Sequence, residues 1–204
     1  MQEGGRISLD LPADTPPTGE GEITGVSWAV GVALDAPGGP DVSAEAPITV
    51  LTTRATYEER SEREQEPGST PNVEMKIWLD GRDLRAGGRI EGSLVVTPRE
   101  GFEAREVRVE LVRREIVLPD DGNHHETVEA QETLAGRVRF SPGTSQGHPF
   151  AVVVPGDLSC PCSETAHTYV GWFLRGTLDR GPRPDHTVES ELNVFDGPGK
   201  DRHA

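Results

Sequence analysis

The sequence predicts an all-β protein built from short antiparallel strands, and three observations support this fold class. Apolar and polar residues alternate over many short runs, which is the periodicity of a strand with one buried face. The 24 glycines and 17 prolines of the 204-residue chain separate these runs, as tight turns between strands require. One set of runs also occurs twice. We therefore expect two related β units.

The repeat relates a stretch near the N-terminus to residues 150–194. Pro155 follows Pro12 by 143 positions, and Trp172 follows Trp28 by 144 positions. The same spacings relate further landmarks, which are Asp14 with Asp157, Asp35 with Asp179, Asp41 with Asp185, and Val50 with Val194. One added residue therefore separates two copies of the same unit.

The first copy predicts three strands within residues 1–53. Ile7, Leu9 and Leu11 alternate with polar residues, and residues 42–51 form another short run. Residues 24–34 predict a long strand with one buried face, whose apolar parity consists of Val26, Trp28, Val30, Val32 and Leu34. Three strands are too few to close a sandwich. We expect a partial domain over residues 1–53.

The rest of the chain predicts one complete domain. Residues 54–71 are charged and almost free of apolar side chains, which is typical of a solvated linker. Residues 72–196 contain seven or eight predicted strands, of which the first five cover residues 73–79, 89–97, 105–117, 126–132 and 134–140. This number and spacing indicate an immunoglobulin-like β-sandwich. Residues 197–204 form a polar tail that we expect to be disordered.

Composition disfavours several classes of partner. The 20 basic and 35 acidic residues give a net charge of −15, which a nucleic-acid backbone or an anionic lipid surface repels. No apolar run approaches the roughly 20 residues of a spanning helix, and the first residues lack a signal-peptide pattern. The only two cysteines, Cys160 and Cys162, suit a reducing compartment. We expect a cytoplasmic protein that binds other proteins, with no nucleic acid and no membrane insertion.

Several motifs of residues 72–196, taken in order, resemble an arrestin-type domain. They are the runs Gly88-Arg-Ile-Glu-Gly92 and Val107-Arg-Val-Glu-Leu111, the stretch from Pro149-Phe150 to Pro155, and Val170-Gly-Trp172. Within the arrestin-like superfamily, the chain is most similar to the bacterial sporulation-control proteins. The resemblance implies tandem β-sandwiches that act as a non-catalytic adaptor or regulator.

The first unit departs from this pattern, because it lacks a counterpart of residues 73–148. Either the chain is an N-terminally truncated fragment, or the strands are lost and a partner covers the exposed edge. We favour the fragment, because Met1 aligns with the loop around Thr144, just before a strand. An uncovered edge is an aggregation hazard, and it is also a route to a homo-oligomer.

Two groups of residues formally match chemical sites. Residues 143–147 match the Gly-x-Ser-x-Gly motif around Ser145, but that motif acts at a strand-to-helix turn in an α/β sheet. Cys160, Cys162 and His167 offer zinc ligands, but their spacing is unusual and a fourth ligand is missing. We expect no catalytic, cofactor-binding or metal-binding residue. The alternative is a β-sandwich hydrolase or metal-binding enzyme centred on one of these two groups.

The tryptophans and one arginine pair complete the predicted set. Trp28 and Trp172 begin equivalent strands, so we expect them to anchor the two cores. Trp78 lies on the polar parity of its strand, so we expect it to face outward as a contact residue for a protein partner. Arg113 and Arg114 are also candidate contact residues, although pairing with nearby glutamates within the chain is the simpler interpretation.

Overall fold

The computed structural model describes residues 8–12, 14–35, 37–38, 41–52, 69–118 and 123–196. These residues form β-strands and no helix, which confirms the predicted all-β class. The strands are β1 (Gly19–Glu20), β2 (Gly25–Val26), β3 (Trp28–Leu34), β4 (Val42–Ile48), β5 (Ser69–Thr70), β6 (Val73–Leu79), β7 (Asp83–Arg85), β8 (Arg89–Pro98), β9 (Phe102–Ala104), β10 (Glu106–Val117), β11 (His124–Ala135), β12 (Val138–Phe140), β13 (Gln146–Val153), β14 (Ser163–Glu164), β15 (Thr168–Asp179) and β16 (His186–Phe195).

Two sheets form a β-sandwich. One has the order β11-β10-β15-β16-β7, with β14 beside β15, and the other has the order β13-β8-β6-β5. Apolar side chains from both sheets, including Leu94 of β8 and Leu174 of β15, form one buried hydrophobic cluster. Alternate side chains of a strand point to opposite faces, so each sheet contributes its apolar parity to the space between them. The predicted sandwich is confirmed.

The inward face of the central strand β10 changes from apolar to charged side chains along the strand. The strand pairs with β15 on one edge and β11 on the other along nearly its whole length. Val107, Val109 and Leu111 are buried, as the alternation predicts. The same parity continues as Arg113 and Glu115, which are also buried. The inward face of β10 is therefore apolar at one end and ionic at the other.

Strand boundaries differ from the predictions after β10. The predicted single strand over residues 134–140 is wrong, because a bend at residues 136–137 separates β11 from β12. β12 pairs with the short strand β9 in a separate two-stranded sheet. β11 also extends beyond the predicted residues 126–132, because its backbone pairs with β10 from His124 to Ala135. The length of β11 is therefore set by its pairing with β10, which is a long-range interaction.

The first copy is less regular than the sequence predicts. Residues 8–12 contain no strand, and Leu9 and Leu11 are exposed, so the predicted strand over Ile7 to Leu11 is wrong, with Ile7 outside the described residues. Among the described residues, no strand pairs with this segment, so its apolar parity has nothing to pack against. The predicted single strand over residues 24–34 is interrupted at residue 27, which separates β2, paired with β1, from β3, paired with β4. The predicted linker falls mostly on residues 53–68 and the tail on 197–204, which lie outside the described part, so the domain division remains a prediction.

The two copies share the same strand pairing. β3 and β4 form a ladder that begins at Trp28 opposite Ile48, and β15 and β16 form one that pairs Trp172 with Leu192. Each of the seven pairs in one ladder is displaced by 144 positions from its counterpart in the other. The β1–β2 and β14–β15 ladders are related by the same displacement. The repeat is therefore present in the backbone as well as in the sequence.

The copies also share hydrogen bonds outside the ladders. The indole of Trp28 donates to the carbonyl of Pro16 at 2.9 Å, and the indole of Trp172 donates to that of Cys160 at 3.1 Å. These donors and acceptors are again 144 positions apart. Trp172 is fully buried, whereas Trp28 is half-buried. The two indoles therefore make the same hydrogen bond, although Trp28 is more exposed to solvent than Trp172.

Replacing each tryptophan by alanine should show how much the difference in burial contributes to stability. We expect Trp172→Ala to lower the free energy of unfolding by about 3–5 kcal/mol, the usual cost of removing a large buried aromatic side chain. Trp28→Ala should cost clearly less, because part of its ring is already in water. Urea unfolding followed by circular dichroism measures both variants. Equal losses would contradict the assignment of Trp172 to a closed core and Trp28 to an open one.

Candidate functional site: the junction of the copies and the exposed ribbon

The carboxylate of Glu115 joins the first copy to the sandwich. Its side chain is 0% exposed and accepts hydrogen bonds from the backbone amides of Glu22, Ile23 and Thr24 at 3.0, 3.0 and 3.1 Å. The Thr24 hydroxyl donates a fourth bond at 2.9 Å, and Arg113 forms an ion pair with the same carboxylate. These donors replace the water that burial removes, which is what a buried charge requires.

The same contacts set the protonation state of Glu115. Burial raises the pKa of Glu115, but the backbone bonds from Ile23 and Glu22, the Thr24 hydroxyl and the charge of Arg113 together outweigh burial. The pKa therefore lies below its ordinary value of 4.5. The group stays ionised at neutral pH, where it holds the turn of residues 21–24 against β10.

The second copy holds the equivalent turn with a side chain of its own. The Thr165 hydroxyl accepts bonds from the amides of His167 and Thr168 at 3.1 and 2.9 Å. Gly21 occupies the position of Thr165, 144 residues earlier, and a Cβ atom there would overlap the Glu115 carboxylate. In the first copy the Glu115 carboxylate accepts the hydrogen bonds of the turn amides, whereas in the second copy the Thr165 hydroxyl accepts them. Glycine at position 21 leaves the space that this replacement needs.

The two cysteines are buried thiols. Burial, followed by the charge of Glu115, raises the pKa of Cys160 to about 11, and burial raises that of Cys162 to about 12. The Cys162 sulfur accepts a bond from the amide of Val194 at 3.4 Å, where the Thr18 hydroxyl of the first copy accepts one from the amide of Val50 at 2.9 Å. The Cys162 sulfur therefore accepts the same backbone hydrogen bond that the Thr18 hydroxyl accepts in the first copy.

The structure does not assemble the alternative chemical sites. His167 is exposed at the turn between β14 and β15, whereas both cysteines are buried. The described residues contain no group of three or more His, Cys, Asp or Glu side chains arranged to hold a metal ion. Ser145 is exposed, and its hydroxyl shares a hydrogen bond of 2.8 Å with the hydroxyl of Thr97, which cannot act as a general base.

The two candidate arginines bind glutamates within the chain. Arg114 pairs with Glu126 and Glu189 at 2.6 and 2.9 Å, and Arg175 pairs with the same two acids at 2.7 and 2.6 Å. The Arg114 guanidinium also lies 4.4 Å from the centre of the Phe173 ring. Each acid is thus shared by two bases. The predicted pairing within the chain is confirmed for Arg114, which is half-buried.

Arg113 is more deeply enclosed than its neighbour. It is 4% exposed and pairs with Glu129 at 2.7 Å as well as with Glu115. The structure therefore contradicts a contact role for Arg113, because alternation along β10 turns it inward. Sequence reasoning missed Glu115 itself, although its position on the inward parity of β10 was a usable signal.

Trp78 lies on the surface of the other sheet. It is 63% exposed and shares the outward parity of β6 with Glu74 and Lys76. β6 pairs with β8 along its length and with β5 only at residues 73 and 74. Within the described residues, the edge of β6 next to Trp78 is therefore unpaired by any strand. A contact role for Trp78 remains a prediction.

The β3–β4 ribbon exposes an apolar face that the sequence predicts to be buried. Val32, Leu34 and Val42 are 51%, 64% and 61% exposed. Their counterparts in the second copy, Gly176, Leu178 and His186, are buried. The prediction of a buried face fails here because no second sheet lies over this end of the ribbon among the described residues. The missing counterpart of residues 73–148 was the sequence signal for this exposure.

Comparison with solved structures identifies the fold. The chain is similar to the crystal structure of Spo0M, a sporulation control protein from Bacillus subtilis, with a TM-score of 0.51 and 18% sequence identity. The match covers 61% of this chain and 50% of that chain, so it spans half the length of Spo0M. This likeness is one of fold, and it agrees with the predicted all-β sandwich. No protein-family profile and no curated protein matches the sequence. The described residues form no helix of the length and hydrophobicity needed to cross a membrane.

Substituting Gly21 by alanine should disrupt the junction, because the added methyl group overlaps the Glu115 carboxylate. We expect a decrease of about 1–3 kcal/mol in the free energy of unfolding, the usual cost of overpacking. Gly25→Ala is the matched control, because the nearest atom to its new Cβ is the Gly19 carbonyl oxygen at an ordinary 3.8 Å. Urea unfolding compares the two, and equal stability would show that the carboxylate does not occupy this space.

Acid should loosen the same junction through Glu115. Since the pKa of Glu115 is lower in the folded chain, its stabilising contribution is complete above about 4.5 and is lost as pH falls through the folded pKa. Amide hydrogen exchange of Ile23 and Thr24 should therefore accelerate in acid relative to that of His167 and Thr168. The second pair is bound by the Thr165 hydroxyl, which does not titrate, so it is an internal control. A ratio that stays constant until global acid unfolding would contradict this account.

Proposed function

We propose that this chain is an arrestin-like adaptor or regulatory protein that binds other proteins through the surfaces and edges of its β-sandwich and catalyses no reaction. The observation that carries the proposal is the fold, which is similar to that of a sporulation control protein. By that analogy, the chain works in the cytoplasm of a bacterium, in a pathway that resembles sporulation control.

The surface chemistry suits a protein partner. Trp78 combines a large apolar ring with an exposed position beside a strand edge that no strand of the described ranges pairs with, and aromatic residues are enriched in protein interfaces. The net charge of −15 disfavours nucleic acid as the partner. Two free, buried cysteines suit a reducing cytoplasm. Neither Ser145 nor the group of Cys160, Cys162 and His167 has contacts that favour a hydrolase or a metal-binding enzyme.

Photo-crosslinking at position 78 tests the adaptor function. A photoreactive phenylalanine derivative at position 78, in cells of the source organism, should give a discrete light-dependent complex with another protein. The same derivative at Val128, a half-exposed position on the other sheet, is the control and should give no such complex. Trp78→Ala should weaken the isolated complex by about tenfold or more, as expected for an aromatic residue central to an interface. Identical crosslinking from both positions, or none from position 78, would count against the proposal.

A further inference from the structure

The β3–β4 ribbon is the open form of a ribbon that the second copy shows in a filled form. Among the described residues, β3 pairs with β4 alone. Its counterpart β15 pairs with β16 on one edge and with β10 on the other. The ladders of the two ribbons have the same register, so the open edge of β3 corresponds to the edge that β10 occupies in the second copy.

The filled form defines what the open edge can accept. β10 runs antiparallel to β15 and pairs with it at twelve successive positions. Its inward residues Val107, Val109 and Leu111 lie opposite Leu178, Gly176 and Leu174. The first-copy counterparts of these three are Leu34, Val32 and Val30. A strand placed on β3 as β10 lies on β15 would therefore bring alternate side chains beside these apolar residues.

We propose that the open edge of β3 binds an extended segment of a protein partner as an added antiparallel strand with apolar side chains at alternate positions. This inference rests on the adaptor function proposed above and specifies the partner. Backbone hydrogen bonds along β3 supply the affinity, and the alternate side chains supply the specificity, as in other cases of strand addition.

The chemistry of the ribbon selects this kind of segment. The apolar parity of the ribbon contains no charged side chain. It consists of Trp28, Val30, Val32 and Leu34 on β3 with Val42, Ala44, Ala46 and Ile48 on β4, of which Trp28, Val30 and Ile48 are half-buried and the others are exposed. Glu45, on the opposite parity, is the single charged residue of the two strands. A charged side chain on the inner parity of the added strand would lie beside these apolar side chains without gaining a charged partner.

One substitution between the copies argues for an added strand at the edge and against a second sheet of the kind found over β15. A Cβ atom on Gly176 would lie 2.7 Å from a methyl carbon of Leu94 in the facing sheet, so a larger residue at this position would force Leu94 to shift. The first copy has Val32 at this position. A facing sheet with leucine at the equivalent point would therefore be crowded by Val32, whereas a strand beside β3 leaves room for this side chain.

A peptide with the sequence of residues 106–112 is the appropriate probe, because it is the apolar part of the strand that fills the equivalent edge, with Val107, Val109 and Leu111 at its inward positions. Added to the full chain, a fluorescent form of it should show a saturable rise in anisotropy. Amide exchange of residues 28–34 should slow by about tenfold or more, because new backbone hydrogen bonds protect alternate amides. Protection confined to another strand, such as β6 or β11, would overturn the proposal.

Two sets of variants test the face and the edge separately. The double variant Val32→Asp with Leu34→Asp should weaken peptide binding by about tenfold or more, because apolar contacts are lost. Val128→Asp, at a similarly exposed valine of β11, should leave binding unchanged. Peptides N-methylated at alternate residues test the edge, since only one of the two possible sets faces β3. Equal binding by both methylated peptides would overturn pairing through the backbone.

Light scattering on the same samples identifies competing occupants. If the free chain instead forms a dimer that the double variant Val32→Asp with Leu34→Asp dissociates, that result would overturn the proposal in favour of a second copy as the occupant of β3. Failure of the peptide to bind, with the crosslinked complex at position 78 intact, would overturn the strand addition alone. Loss of that complex, with peptide binding intact, would instead count against the proposed adaptor function.

Discussion

The buried carboxylate of Glu115 holds the first copy of the repeat against the complete sandwich. It brings together a turn and a strand that are about 90 residues apart in the sequence, with four hydrogen bonds and an ion pair to Arg113. A charge buried this completely is stable only while its donors stay in place. This group fixes the turn that leads into the ribbon, and the backbone bond from the amide of Glu20 to the carbonyl of Ser159 at 2.7 Å holds the same segment.

The constraint acts at one end of the first copy only. Near the junction, Val50 is buried and Trp28 is half-buried, and both make the same hydrogen bonds as their counterparts. Further along β3 and β4, the same pairing continues with an apolar face in water, and among the described residues the outer edges of both strands are unpaired. One sequence unit therefore appears twice, once closed by facing strands and once open. An exposed apolar face beside an unpaired strand edge is a surface well suited to a protein partner.

Period-two alternation was sufficient to predict the class, the sandwich and most of its core. It assigns each residue of a strand to one of two faces, and the apolar face, which includes Leu94 and Val107, is the buried one. The equivalence of Trp28 and Trp172 likewise anticipated the shared register. Alternation cannot show whether an apolar side is covered, which is why Val32 and Leu34 were predicted to be buried. It also cannot identify the partners of Arg113 and Glu115, since those of Glu115 at residues 22–24 are distant in the sequence and become neighbours only in the fold.

The two ribbons are the same unit in an open and a filled state. Amide hydrogen exchange, resolved residue by residue along β3 and β15 of the free chain, tests this claim most directly. We predict that β15 is protected along its whole length, whereas alternate amides of β3 exchange at rates close to those of an unprotected backbone. Uniform protection of both strands would contradict the claim, because it would mean that the edge of β3 is already filled.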